Sequence, residues 1–296
     1  MRMVLRPVGG TILSTMRRYA SSGGGLLTVK ESPLENVSIF EMNYPKANVL
    51  TSEFITSFLD SIKEVCDPDT GHCRGIILTS SVPGIFSGGL DINELFHNQD
   101  KERFDKYWSL FQQLFVTLHS LPVPLVTAIN GHAAAAGCIV AMASDYRVMA
   151  RVSPKNQKPL SIGISATLSG FCVPPYVFAS MEHTIGFRKT EELMTSGRLL
   201  SADEALAYGL VDEVVDNGEE AIVPCLAYME KLLQLPSPAP YWIVKGYSRS
   251  NVLAPLSSAQ LRQADSDNFF NMLQDPTVRS VLGKHVSQLG SKGKAV

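Results

Sequence analysis

Two turns of small residues constrain this chain more than any other feature. The first reads Ile85-Phe-Ser-Gly-Gly-Leu-Asp-Ile92 and the second Asn130-Gly-His-Ala-Ala-Ala-Ala-Gly-Cys138. Each follows an apolar, β-branched run, residues 75–80 and 123–129, of the kind found in strands covered on both faces. Each precedes a helical stretch, so each leaves backbone N–H groups at a helix start without an intrahelical acceptor. Two such N–H groups aimed at one point make an oxyanion hole, which stabilises an enolate or a tetrahedral intermediate. Small side chains are needed there because bulk keeps a ligand away from the backbone.

Strand and helix patterns alternate around these turns. Residues 37–43 alternate apolar and polar positions and read as a strand, followed by a loop at 44–48. Thr51 or Ser52 caps a helix through Glu64 whose face carries Phe54, Ile55, Phe58, Leu59 and Ile62. Asp91 caps a helix that begins at Ile92, with Glu94 in the place of a capping-box partner. Residues 101–120 form an amphipathic helix, and 137–143 a short apolar one that must be buried. The repeated alternation argues for βαβ units in an α/β fold. From Ser201 the chain is strongly helical: Ser201-Ala-Asp-Glu204 is a capping box and Gly209 ends that helix. Pro236-Ser-Pro-Ala-Pro240 breaks the chain, two or three amphipathic helices run to about residue 288, and 290–296 read as a disordered end.

Composition excludes several classes. A net charge of −2 argues against a nucleic-acid partner, which calls for a basic face. No apolar run approaches the roughly 20 residues of a transmembrane helix. The five cysteines are scattered with no C-x-x-C pair, which suggests neither a zinc site nor a disulfide framework. The glycines lack the G-x-G-x-x-G and G-K-[ST] spacings of nucleotide sites, so no metal and no redox cofactor is implied. The N-terminus differs from the rest. It carries Arg2, Arg6, Arg17 and Arg18 before the first acid, Glu31, among Ser, Gly and small apolar residues. That is the composition of a mitochondrial transit peptide, with a cleavage region near Arg17-Arg18-Tyr19.

The turns and the pieces around them resemble the crotonase (enoyl-CoA hydratase/isomerase) superfamily. The resemblance runs from about Val37 to Val215. It rests on Phe-Ser-Gly-Gly-Leu-Asp91, Pro124-Leu-Val-Thr-Ala-Ile-Asn-Gly131, Ala-Gly-Cys138, Asp145-Tyr-Arg147, Ile162-Gly-Ile164 and the segment Leu200–Val215, in that order. Pro-Gly-Ile-Phe-Ser-Gly-Gly-Leu-Asp91 and Thr184-Ile-Gly-Phe-Arg188 look most like the mitochondrial Δ3,Δ2-enoyl-CoA isomerases. The resemblance implies a crotonase-like ββα spiral core at 26–220 and a C-terminal helical trimerisation region at 221–296. Residues 1–25 stand before them as the transit segment. It further implies a homotrimer of the mitochondrial matrix acting in β-oxidation of unsaturated fatty acids. Its ligand is an acyl-CoA thioester; coenzyme A is part of the substrate, not a cofactor.

By that resemblance, Leu90 and Ala136 supply the two oxyanion-hole N–H groups. Many relatives carry Gly at the second position, and Ala136 serves there if its φ stays negative. Gly88, Gly89, Asp91, Ile92 and Ser165 line the substrate site, and Lys46 offers a positive charge to the coenzyme A phosphates. Phe269 and Phe270 stand where the tail lines the ligand or packs the core. The family's carboxylates have no counterpart. The hydratase acid falls on Ile139, which argues against hydration. The isomerase Glu falls on Ala166, and no Asp or Glu occurs between Asp145 and Glu182. Alanine transfers no proton, and losing a general base costs about 10²–10⁴ in rate. Three readings stay open: an impaired paralogue that binds acyl-CoA, a substitute group such as Asp91, Glu94 or His132, or slow catalysis by water and the hole.

Overall fold

The computed structural model describes residues 25–292 except 68, 70, 71 and 97–99. The basic leader expected at 1–25 therefore lies, apart from Gly25, outside the described residues. In chain order, β1 (Leu27–Glu31) and β2 (Val37–Met42) pair as a hairpin, and β3 (Val49–Leu50) enters α1 (Ser52–Val65). Next come β4 (Gly75–Ser80), β5 (Gly84–Ser87), β6 (Gly89–Leu90), α2 (Ile92–Phe96) and α3 (Lys101–His119). β7 (Leu125–Ile129) and β8 (Gly131–Ala134) lead into α4 (Ala136–Met142), and β9 (Tyr146–Val152) and β10 (Ser161–Gly163) into a 3-10 turn (Ala166–Ser169). Then follow α5 (Pro175–Ile185), α6 (Phe187–Ser196), β11 (Leu200–Ser201), α7 (Ala202–Tyr208) and β12 (Glu213–Asn217). The tail is α8 (Ile222–Leu233), α9 (Ala239–Leu253), α10 (Ala259–Leu273) and α11 (Pro276–Lys292).

Successive passes of the chain give one strand to each of two sheets. The larger sheet has the order β1-β2-β4-β7-β9-β12, and the smaller β11-β10-β8-β5; β3 pairs with β6 alone. Pairing is parallel throughout except β1–β2 and β10–β11. The β4–β5, β7–β8 and β9–β10 passes, each followed by helix, make the ββα spiral. The larger sheet is covered on both faces, which is why its central strands β4 and β7 are largely apolar. Ile39, Ile77, Val126 and Val148 pack under Cys225 and Met229 of α8. Phe40, Ile76, Leu78, Leu125 and Ile129 face the main core beneath α1, α3 and α4.

Local signals hold where the chemistry is simple. Thr51 caps α1 by accepting from Phe54 N, and Ser201 and Glu204 complete the capping box of α7. Asp91 Oδ1 accepts from Asn93 N at 2.9 Å, whereas Glu94 reaches forward to Arg103 at 2.7 Å. The C-terminal end departs from expectation, since α11 continues through Lys292. Helices α9–α11 wrap back over the core. Asp145, just before β9, anchors α9: it accepts from Lys245 Nζ at 2.8 Å and Arg249 Nη2 at 2.6 Å.

Candidate active site

The first turn is held by its neighbours rather than by its own residues. Asn48, fully buried with φ 46°, donates from Nδ2 to Ser80 Oγ (2.8 Å) and to the Phe86 carbonyl (2.9 Å). Its own carbonyl accepts from Ser87 Oγ at 2.7 Å, and Gly88 N donates to the Ala47 carbonyl at 2.8 Å. These bonds fix the 44–48 loop against the turn. Tyr107 of α3 holds the far side: its hydroxyl accepts from Asp91 N at 3.1 Å and donates to the Leu50 carbonyl at 2.9 Å.

The second turn is strained at one residue. Ala135, the N-cap of α4, has φ 52° and ψ −120°, while Ala136 has no positive φ and begins the helix. The expectation that Ala136 keeps a negative φ holds, and the unusual backbone is displaced to the residue before it. Ala135 N donates to the Gly163 carbonyl at 2.9 Å, which ties this turn to β10. As the first helical residue, Ala136 has an N–H with no acceptor inside its helix.

The two turns meet. A Cβ built on Gly89, whose φ is +93°, would lie 2.9 Å from Ala135 Cβ and 3.0 Å from Ala136 N. A Cβ on Gly137 would lie 2.5 Å from the Ser87 carbonyl oxygen. Only glycine permits this approach, and it brings the segment carrying Leu90 against the start of α4.

Both Leu90 and Ala136 line one cavity of about 540 Å³, together with Gly88, Asp91, Ile92, Ser165 and Ala166. Gly89 stands behind that wall, packed on Ala135 and Ala136. Ile139 and Ala166, the two positions that carry carboxylates in the family by resemblance, both face the cavity. Asp91 is the one carboxylate among its described lining residues. Glu94 is not a lining residue, and neither is His132, whose Nδ1 lies 3.0 Å from Ser161 Oγ and 3.1 Å from Ser161 N. Lys46 lies outside the cavity. It is exposed, at φ 71°, and lines an adjacent groove with Lys155 and Glu219 instead of the cavity. The hydrogen bonds of Asn48 turn the loop so that Ala47, not Lys46, faces inward. Among the described residues no group of three or more His, Cys, Asp and Glu side chains could hold a metal.

Of the opposite wall the sequence points only to Phe269. Trp108 and Phe111 of α3, Phe171, Phe269 of α10 and Leu282 of α11 close the cavity. Phe269 both packs the core and lines the site, whereas Phe270 lies tilted against Phe104 and under Lys101. The tail thus covers the site of its own chain. The amphipathic pattern of α3 shows only that these aromatics are buried, not what they face.

Comparison with known proteins agrees with this architecture. Residues 34–286 match the model of the family described as Enoyl-CoA hydratase/isomerase. The mouse protein named Enoyl-CoA delta isomerase 1, mitochondrial, is 33% identical over 277 residues, covering 93% of this chain and 90% of that protein. The human protein of the same name is 29% identical over 287 residues, 95% of this chain and 91% of its own. The crystal structure of human mitochondrial delta3-delta2-enoyl-CoA isomerase superposes with a TM-score of 0.82 at 29% identity, covering 90% of this chain and 99% of that one. An enoyl-CoA hydratase from Bacillus halodurans shares the fold, with a TM-score of 0.73 at 20% identity over 88% of this chain and 99% of that one. With its paired turns, two-sheet core and covering tail, the chain belongs to the enoyl-CoA hydratase/isomerase family.

Proposed function

We propose that this protein acts on 3-enoyl-CoA thioesters, shifting the double bond to give trans-2-enoyl-CoA. The observation that carries this reading is the meeting of the two small-residue turns on one wall of an apolar cavity, in a chain about 30% identical to named delta isomerases. The N–H groups of Leu90 and Ala136 receive the thioester oxygen and stabilise the enolate formed when a proton leaves C2. That proton returns at C4. The bond order moves, nothing is oxidised, and no metal or redox cofactor is called for; coenzyme A travels with the substrate. Gly88, Gly89, Ile92 and Ser165 shape the pocket around the thioester. Lys46, in the adjacent groove, offers its charge to the phosphates outside it. Proton transfer is the weak step here, because the usual Glu position is Ala166 and, among the described residues, Asp91 is the only carboxylate on the lining.

The same observation favours a second reading, a paralogue that binds acyl-CoA without turning it over. Ile139 and Ala166 leave both usual acid positions apolar. Turnover of trans-3-enoyl-CoA by the wild-type chain and by Ala166→Glu separates the two. Slow wild-type turnover supports the isomerase; silence in the wild type with activity in the variant supports the paralogue. In either case the relatives' mitochondrial names and the basic leader support a matrix protein of unsaturated fatty-acid β-oxidation. The exposed apolar side chains of α9, Trp242, Val244 and Tyr247, support assembly as a homotrimer through the tail.

A further inference from the structure

We propose that a second cavity, between the spiral core and α9, binds a small organic phosphate. It shares no lining residue with the cavity that holds Leu90 and Ala136, and it stands whether or not that cavity takes an acyl-CoA thioester. Its volume is about 720 Å³, within the range of small-molecule sites. Its walls come from the end of α4, the start of β9, the end of α5, Tyr228 of α8 and the N-terminal turns of α9.

Charge singles this cavity out. Arg147, Lys245 and Arg249 line it, and all three are more than nine-tenths buried. Asp145 is the one carboxylate among its described lining residues, and its oxygens already accept from Lys245, Arg249 and Leu125 N. Asp212 pairs with Arg147 at 2.9 Å from outside the lining. Three buried cations thus meet two carboxylates, and one positive charge has no counterion among them. Burying such a charge is costly unless an anion meets it. The neighbours feel it: burial and the Arg249 and Arg147 charges hold His183, on the same lining, below its usual pKa. Donors are left over as well. Arg147 Nη1 donates to the Ser144 carbonyl at 2.9 Å, but its Nε is buried with no hydrogen-bond partner among the described residues. Lys245 Nζ uses two of its three hydrogens, on the Val123 carbonyl and Asp145.

A phosphate monoester supplies what is missing. It carries a charge of about −1.5 to −2 at neutral pH and three acceptor oxygens suited to guanidinium and ammonium donors. The cavity is much larger than a phosphate group, and the rest of it is walled by Tyr228, Tyr241, Pro236 and Pro240. Tyr228 is held in place by stacking on Tyr146 at 4.0 Å. Such walls call for an organic body with a flat apolar face.

The test is calorimetric titration of the full chain with phenyl phosphate at constant ionic strength. We expect saturable binding, unchanged by an excess of S-butanoylpantetheine, the thioester end of an acyl-CoA without its phosphates. Benzoate, with the same ring and a single charge, should bind more weakly. Lys245→Met removes one cation and should weaken phenyl phosphate by at least about tenfold, the worth of one charge-assisted hydrogen bond. Ser237→Glu, at an exposed position on the rim, adds a carboxylate without touching the buried cluster. It should weaken binding in the same direction and serves if Lys245→Met does not fold. Absence of saturable binding overturns the site, which is also the result if a carboxylate of a second copy already fills the cavity. Displacement by S-butanoylpantetheine, benzoate binding as tight as phenyl phosphate, or an affinity that Ser237→Glu leaves unchanged overturns it too.

Discussion

Ala135 carries the backbone strain that lets Ala136 point its N–H outward. Its φ of 52° and ψ of −120° lie where glycine is at ease and a β-carbon costs roughly 1–3 kcal/mol. Ala135→Gly relieves that strain and loses roughly 0.4–1 kcal/mol through the freer unfolded chain. The net expectation is a gain of about 1 kcal/mol, read as a higher denaturant midpoint at unchanged slope. His119 makes the opposite kind of statement. It is fully buried, with Nδ1 2.8 Å from the Phe115 carbonyl and Nε2 2.9 Å from Ser180 Oγ. Burial, reinforced by the Arg249 charge, pushes its pKa from 6.5 down to about 3. Below pH 6.5 the unfolded chain takes up a proton that the folded chain refuses. Stability from this group is thus present above pH 6.5 and lost as pH falls toward 3, by up to about 1.4 kcal/mol per pH unit. Denaturant midpoints across that window should fall less steeply for His119→Gln than for the wild type. Parallel curves for the two would contradict this assignment.

At the scale of elements, α4 depends on how closely it can approach the first turn. Gly137→Ala places a Cβ 2.5 Å from the Ser87 carbonyl oxygen, a backbone atom that cannot yield cheaply. We expect a loss of about 1–3 kcal/mol and a weakened grip on acyl-CoA, measured by thermal unfolding and by acyl-CoA titration. This approach is legible in the sequence, because a run of small residues has few other uses. The caps of α1 and α7 are equally legible, since one side chain and one N–H three residues on decide them. Less could be read where the deciding contact is distant. β1 appears in no periodic pattern strong enough to predict it. Strands β6 and β11 are two residues long, too short for a period of two to show. The Trp108–Phe269 wall joins helices more than 150 positions apart, and each ring alone reads as ordinary core. That Lys46 lines the groove beside the cavity and not the cavity itself is equally distant information, because the loop is held by Asn48, which hydrogen-bonds to Ser80 and Phe86 across the fold.

Across the whole molecule, Asp145 joins the spiral core to the helical tail. It takes hydrogen bonds from both Lys245 and Arg249, and burial holds the pKa of Lys245 down at about 8. Lys245 also donates to the Val123 carbonyl, and Arg249 to the carbonyls of His119 and Ala143. Asp145→Ala strands two buried cations and should cost about 3–5 kcal/mol. Because α10 and α11 complete the cavity through Phe269 and Leu282, acyl-CoA affinity should fall with it, which titration of the folded variant checks. The account as a whole holds that the cavity is an enoyl-CoA isomerase site lacking its usual carboxylate. The most direct test is the rate of conversion of trans-3-enoyl-CoA to trans-2-enoyl-CoA by the wild type and Ala166→Glu, side by side. The account predicts slow wild-type turnover and a gain of about 10²-fold or more in the variant. No turnover by either folded protein would contradict it.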